Sequence, residues 1–258
     1  VIPILFSFGL FKIYSYSICI FISILVFLYK STSDSNLLKL VDKWFFVDTI
    51  VETAIISIVG ARVIHFISEF NNYDSLIDIF KIYNGGLSVL GATIFGLSYY
   101  LSKLYFYNLD YLKILDITAK YAPLLNAISR IGCFLSGCCY GFSTNFFISV
   151  IYKNNFCVAP LFKSLFPIQL LSSLVFIFIY ILLSIIYKSF NNYKGITIVS
   201  YIMFSSLERF LLDFLRGDRI FVYDSILSFH QYIAIIMILL SSFCYIYIFF
   251  KNFSYKRL

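Results

Sequence analysis

Charge is what this sequence has least of. Asp, Glu, Lys and Arg make up 13% of its 258 residues, against roughly 25% in a soluble domain. That deficit excludes a surface covered by water. Hydrophobic residues reach 61% and the mean hydropathy is +0.90, so the outer surface must face lipid. No basic run of the kind that binds nucleic acid occurs, and nucleic acid is not an expected partner. The net charge of +7 instead fits cytoplasmic loops beside anionic lipid heads. The opening has no basic n-region and no small-residue cleavage site, so a cleavable signal peptide is not expected. Internal repeats and linkers are also missing, and residues 1–258 are expected to form one domain. The cysteines at 19, 133, 138, 139, 157 and 244 do not have the spacing of a disulfide framework.

What is present is a series of long apolar runs. A spanning helix needs about 20 mostly apolar residues. Seven stretches qualify: Ile13 to Tyr29, Phe45 to Phe66, Gly86 to Ser102, Leu115 to Leu135, Phe166 to Tyr187, Gly195 to Leu212, and Ser225 to Phe250. A short interfacial piece, Val1 to Phe11, precedes the first, and Pro123 and Gly132 are expected to break the fourth. The runs are continuous and not alternating, which favours helices over a barrel. The expected class is therefore an all-α polytopic membrane protein of about seven transmembrane helices. The odd connections and the C-terminus, counted with Lys120 near the start of the fourth run, carry eleven Lys and Arg, the even connections five. The positive-inside rule then places the N-terminus outside and the C-terminus in the cytoplasm.

Charges inside the spans carry the functional signal. An Arg at mid-bilayer costs roughly 2.5–3.5 kcal/mol on insertion scales, so it must face an interior, a partner or an anion. Lys120 and His65 read as residues that snorkel to the interface. Arg130 and Arg209 do not. Arg209, Asp213 and Arg216 are spaced four and three apart, so one helical face should carry all three. An arginine fork matches two phosphate oxygens at once, and in a membrane the obvious phosphate belongs to a lipid head. Beside Arg130 the run RIGCFLSGCCYG, Arg130 to Gly141, holds three cysteines within seven residues. One CxxxxCC cluster without a second ligand pair is a weak zinc site, so no metal is expected. NGGLSVLGATIFG, Asn84 to Gly96, reads as a helix-packing pattern.

Taken together, these segments resemble the prolipoprotein diacylglyceryl transferase family over most of the chain. FKIYSYS looks like the family's early segment ending in Tyr-Gly, with Tyr16 as the match and Ser17 in place of Gly. VGARVIH resembles its GGR segment and aligns Arg62. NGGLSVLG resembles GGMSFHGG, which brings in Gly86 and Ser88. RIGCFLSGCCYG resembles GRIGNFINGELYG, aligning Arg130 with an essential arginine and bringing in Ser136 and Gly137. FPIQLL resembles HPSQLYE, aligning Pro167 and Gln169. ERFLLDFLRGD resembles RFIVEFFR, aligning Arg209 with a second essential arginine, beside Asp213 and Arg216. LSFHQ resembles LSMGQ. The departures are equally specific. Family His, Asn and Glu stand as Leu90, Cys133 and Cys138, and the His and Tyr-Glu of HPSQLYE stand as Phe166 and Leu171-Ser172.

The resemblance implies a multi-pass transferase of the bacterial cytoplasmic membrane. It would move the diacylglyceryl group of phosphatidylglycerol onto the lipobox cysteine thiol of a prolipoprotein signal peptide, releasing glycerol phosphate. It implies Arg130, Arg209 and Tyr16 as catalytic, and Arg62, Gly86, Ser88, Ser136, Gly137, Gln169, Asp213 and Arg216 as substrate-binding. No cofactor is implied, because the phosphodiester supplies its own leaving group. The base is left open between Tyr16, Asp213 and the arginine field. Two other readings stand beside it. One is a lipid-binding or lipid-modifying relative that uses its cysteine cluster. The other is a secondary transporter with helices broken near Pro123 and Gly85-Gly86.

Overall fold

The computed structural model describes residues 1–8, 11–70, 75, 79, 86–221 and 226–255. Lys81, Asn84, Gly85, Ser225, Lys256 and Arg257 lie outside the described residues. The order of elements is β1 (Ile4–Phe8), β2 (Phe11–Tyr14), α1 (Ser15–Thr32), α2 (Ser35–Leu38), α3 (Lys43–Ser68), α4 (Val89–Phe106), α5 (Tyr111–Ser136), β3 (Val150–Ile151), β4 (Ser164–Leu165), α6 (Ile168–Ser189), α7 (Ile196–Asp213) and α8 (Phe229–Tyr255). Among the described residues, four helices are long and apolar enough to cross a membrane: α1, α3, α6, and α8 from Phe229 to Phe250. The chain is a mostly helical, polytopic membrane protein.

Burial runs opposite to that of a soluble protein. Ser23, Ser172, Ser173, Ser200, Gln169 and Gln231 are buried, while Phe21, Phe178, Ile185, Ile236 and Phe243 face outward. Lipid is as apolar as leucine, so helices meet through small and hydrogen-bonding residues and leave bulky apolar ones outside. Ser173 donates to the Ala127 carbonyl at 2.8 Å and Asn126 to the Tyr201 hydroxyl at 2.8 Å, which ties α5 to α6 and α7.

Two expectations are corrected. The class is not wholly α. Within the first fourteen residues β1 and β2 pair antiparallel, with Ile4 opposite Tyr14 and Phe6 opposite Ile13. β3 and β4 form a second ribbon. Neither Pro123 nor Gly132 breaks α5, which runs unbroken to Ser136. Membrane helices tolerate such residues because neighbouring groups satisfy the freed backbone. At Gly132 a Cβ would lie 2.8 Å from the Cys19 side chain, so the missing side chain admits α1.

The backbone divides into two compact units. One comprises residues 1–31 and 115–258, the other residues 32–114. In the second unit α3 packs on α4. A Cβ at Gly91 would meet the Gly60 carbonyl at 2.3 Å, and one at Gly96 would meet the Ser57 hydroxyl at 2.0 Å. The helix-packing reading of the glycines at 91 and 96 therefore holds. A network of Glu52 with Lys103 and Tyr99 also joins these helices. In the first unit α7 packs between α6 and α8.

Candidate functional site

The site begins where α5 ends. Gly137 has φ 74°, a left-handed conformation that glycine adopts without penalty. Its N–H donates to the Phe134 carbonyl at 3.3 Å, and the Cys138 N–H donates to the Cys133 carbonyl at 3.1 Å. This pair of bonds is a Schellman motif, which brings the residue after the glycine back over the helix's last turn. Here those residues are Cys138 and Cys133. Cys139 follows with φ 54°, and the sulfurs of all three lie within 4.8 Å of one another. The Ser136 hydroxyl sits 3.3 Å from the Cys138 sulfur. Beyond the helix, hydrogen bonds from the Cys133 and Cys138 thiols hold the Cys139 thiol well below the ordinary range, and the guanidinium groups of Arg216 and Arg130 act the same way.

Backbone bonds then stitch three segments together. Phe142 N–H donates to Leu215, Gly217 N–H to Tyr140, and Phe166 N–H to Phe142, at 2.9–3.0 Å. A Cβ at Gly141 would strike the Phe166 carbonyl at 2.4 Å, so only glycine permits this approach. The result is a small cavity of about 10 Å³ lined by Arg130, Cys139, Gln169, Ser172, Glu208, Arg209, Asp213 and Arg216, with Ile168 and Leu212.

Its charges are unequally held. Asp213, with 1% of its side chain exposed, pairs with Arg209 at 3.4 Å and Arg219 at 3.5 Å, and accepts from the Ser228 hydroxyl. Glu208 is buried and accepts from the Ser172 hydroxyl. The Arg130 guanidinium has no hydrogen bond or ion pair among the described residues. Three arginines and two carboxylates line the cavity, with Cys139 beside them. Gln169, at 1% exposure, donates to the Cys138 carbonyl at 2.9 Å and the Tyr152 hydroxyl at 3.3 Å. Its own carbonyl oxygen is buried without a donor among the described residues. Burial pushes the Tyr152 phenol up to about 12.

Sequence spacing placed Arg209, Asp213 and Arg216 on one helical face, and this is corrected. α7 ends at Asp213, and Arg216 lies in the following turn. There it makes a bidentate pair with Asp218, 2.8 and 2.7 Å, yet it still lines the cavity. Tyr16 packs over Gly132 and lies within electrostatic reach of Arg130 and the three thiols, but it does not line the cavity. Ser136 and Gly137 shape the end of α5. In the other unit, Arg62 is buried and donates to the Ile79 carbonyl at 2.9 Å and the Gly86 carbonyl at 3.1 Å. Gly86 there has φ 77° and packs on His65, and Ser88 caps α4 through the Gly91 N–H. Sequence reasoning missed Glu208, Ser172 and Arg219. A Ser at 172 and a Glu at 208, polar residues within apolar runs, were the available signal for the first two.

A family model described as prolipoprotein diacylglyceryl transferase matches residues 3–247. A phosphatidylglycerol–prolipoprotein diacylglyceryl transferase of Clostridium tetani is 32% identical over 253 residues, covering 94% of this chain and 96% of that one. A protein of Clostridium perfringens with the same name and the suffix 2 is 34% identical over 219 residues, 82% and 81% of the two chains. One from Clostridium kluyveri is 31% identical over 232 residues, 85% and 87%.

Proposed function

From the premise that this chain belongs to the prolipoprotein diacylglyceryl transferase family, we propose that it transfers the diacylglyceryl group of phosphatidylglycerol to the lipobox cysteine thiol of prolipoproteins. Glycerol phosphate is the leaving group. The reaction takes place in the bacterial cytoplasmic membrane, with seven spans, the N-terminus outside and the C-terminus in the cytoplasm. Residues 1–258 work as one domain.

The observation that carries this reading is the uncommitted guanidinium of Arg130 beside Arg209 and Arg216 in one cavity. The bond that breaks joins a glycerol carbon to a phosphate oxygen, so negative charge grows on the phosphate. Cations fixed at that place stabilise the transition state more than the ground state. Arg130 and Arg209 hold the phosphate. Asp213 is a positioning residue for Arg209, which it pairs at 3.4 Å while its other oxygen takes Arg219 and Ser228. The unpaired Gln169 carbonyl oxygen accepts a hydroxyl of the glycerol head. Arg216, tied to Asp218, closes the same wall. Tyr16 orients the acceptor thiol. Gly86, Ser88 and Arg62 shape the lipid-binding surface of their own unit.

The test is transfer of labelled diacylglyceryl from phosphatidylglycerol vesicles to a lipobox peptide by the purified full-length protein. Product should be a thioether on the peptide cysteine, and glycerol phosphate should appear in equal amount. A protein that binds the vesicles and forms neither product would be a lipid-binding relative without the transferase activity.

A further inference from the structure

The transfer reading gives Cys133, Cys138 and Cys139 no task, yet the fold gathers them with care. The Schellman turn at Gly137 sets Cys138 over Cys133, and the left-handed backbone at Cys139 folds the third thiol inward. Zinc binds thiolate sulfur at about 2.3 Å in tetrahedral geometry, which puts sulfurs about 3.8 Å apart. Sulfurs already within 4.8 Å of one another reach that spacing by small side-chain rotations.

We propose that Cys133, Cys138 and Cys139 form a tris-thiolate site for a divalent cation of the zinc class, and that its open fourth position takes the acceptor thiol. Three protein ligands and one open position mark a catalytic metal site and not a structural one. Such a centre carries one net negative charge, and the neighbouring Arg130 and Arg216 are suited to balance it. The absence of a second ligand pair in the sequence argued against a metal. That argument applies to a closed four-ligand site and not to one that substrate completes.

The acceptor half of the proposal rests on the transferase reading, whereas the metal site does not. A thiol bound to such a cation loses its proton to bulk water. Its sulfur lone pair then forms the C–S bond to the glycerol carbon while the C–O bond breaks. The bonding pair leaves with the phosphate oxygen, next to the arginines. No electron is gained or lost overall. The product thioether is neutral, binds the cation more weakly than the thiolate did, and departs. The site would thus supply the thiolate that the missing family His, at Leu90, leaves unaccounted for.

The experiment uses the full-length protein in phosphatidylglycerol nanodiscs, purified under reducing conditions and reconstituted with Zn²⁺ or Co²⁺. One metal ion per chain is expected, with thiolate charge-transfer absorption in the cobalt form. Cys139→Ser removes a ligand, so it should weaken metal affinity by more than the ~10–100-fold typical of an outer-shell partner. Cys138→Ser, read alongside circular dichroism and vesicle binding, guards against a variant that simply misfolds. Lipobox peptide should shift the visible bands of the cobalt form, and the same peptide with Ser at its cysteine should not. Substoichiometric metal after reconstitution overturns the site, whatever the transfer assay gives. Metal binding with bands that ignore the peptide thiol overturns the acceptor role. Metal binding and a peptide shift without any transfer would leave the site standing and remove the transferase reading.

Discussion

The two ends of α7 both bury charge in an apolar chain, and they do it differently. At the N-terminal end Asp116, 5% exposed, accepts from the backbone N–H groups of Gly195, Thr197 and Ile198 at 2.6, 2.9 and 3.0 Å. The first N–H groups of a helix lack intrahelical partners and carry the positive end of its dipole. The carboxylate satisfies them and they satisfy it. At the other end, eighteen residues on, arginines outnumber the carboxylates around a cavity, and Arg130 is held by nothing described. A buried charge whose partners are all protein is there to hold the fold. A half-buried cation without a protein partner among the described residues is open to one from outside.

The largest expected effect tests the cavity end. Arg130→Ala and Arg130→Lys should each lower the transfer rate by about 10²–10³-fold, the usual loss for one transition-state contact. The two should be nearly equal, because Lys keeps the charge and loses the bidentate fork. Melting of either variant in detergent should stay close to wild type, since Arg130 bonds to no described residue. A large fall in melting temperature, or full activity in Arg130→Lys, would erase the contrast between the two ends.

The opposite pattern is expected at Asp116. Asp116→Ala leaves three backbone donors buried without their acceptor. Loss of a helix cap typically costs about 0.5–2 kcal/mol, and burial puts this one at the upper end. Thermal melts in detergent should show that loss, while the transfer rate per folded molecule stays near wild type. A rate loss to match Arg130→Ala would mean that Asp116 shapes the cavity as well as capping the helix.

Much of the site was legible before any geometry. The resemblance brought forward Arg130, Arg209, Gln169, Asp213 and Arg216, and all five line one cavity. The four charged ones could be read because charge in an apolar run is conspicuous, and Gln169 only through its matching motif. Asp116 was not picked out, although it too is buried, because it accepts from backbone groups 79 to 82 positions away. Arg216 was assigned to the wrong face, since spacing of three and four predicts a shared face only while the helix lasts. Glu208 and Ser172 were missed because their pairing is tertiary. The cysteines show the same limit. Their spacing displayed three ligands, but the fold-back at Gly137 that brings them together depends on one backbone angle.

The smallest expected effect sharpens the comparison in the segment between α5 and α6. Tyr152 is 1% exposed, and its hydroxyl accepts from Gln169 and donates to the Phe134 carbonyl. Through Gln169 it supports the cavity end, with a neutral group and not a charge. Burial raises its phenol to about 12, whereas an unfolded chain's tyrosine titrates near 10. The folded protein therefore binds this proton more tightly than the unfolded one does. Its contribution to stability is complete below about pH 10 and is lost as pH rises towards about 12. Tyr152→Phe should cost about 1 kcal/mol at neutral pH for its hydrogen bonds, and should flatten the decline of stability across that alkaline window. Melting curves of both proteins at closely spaced pH values between 9 and 12 would check this. An equal slope in the two would assign the alkaline decline to other tyrosines and leave Gln169 without this support.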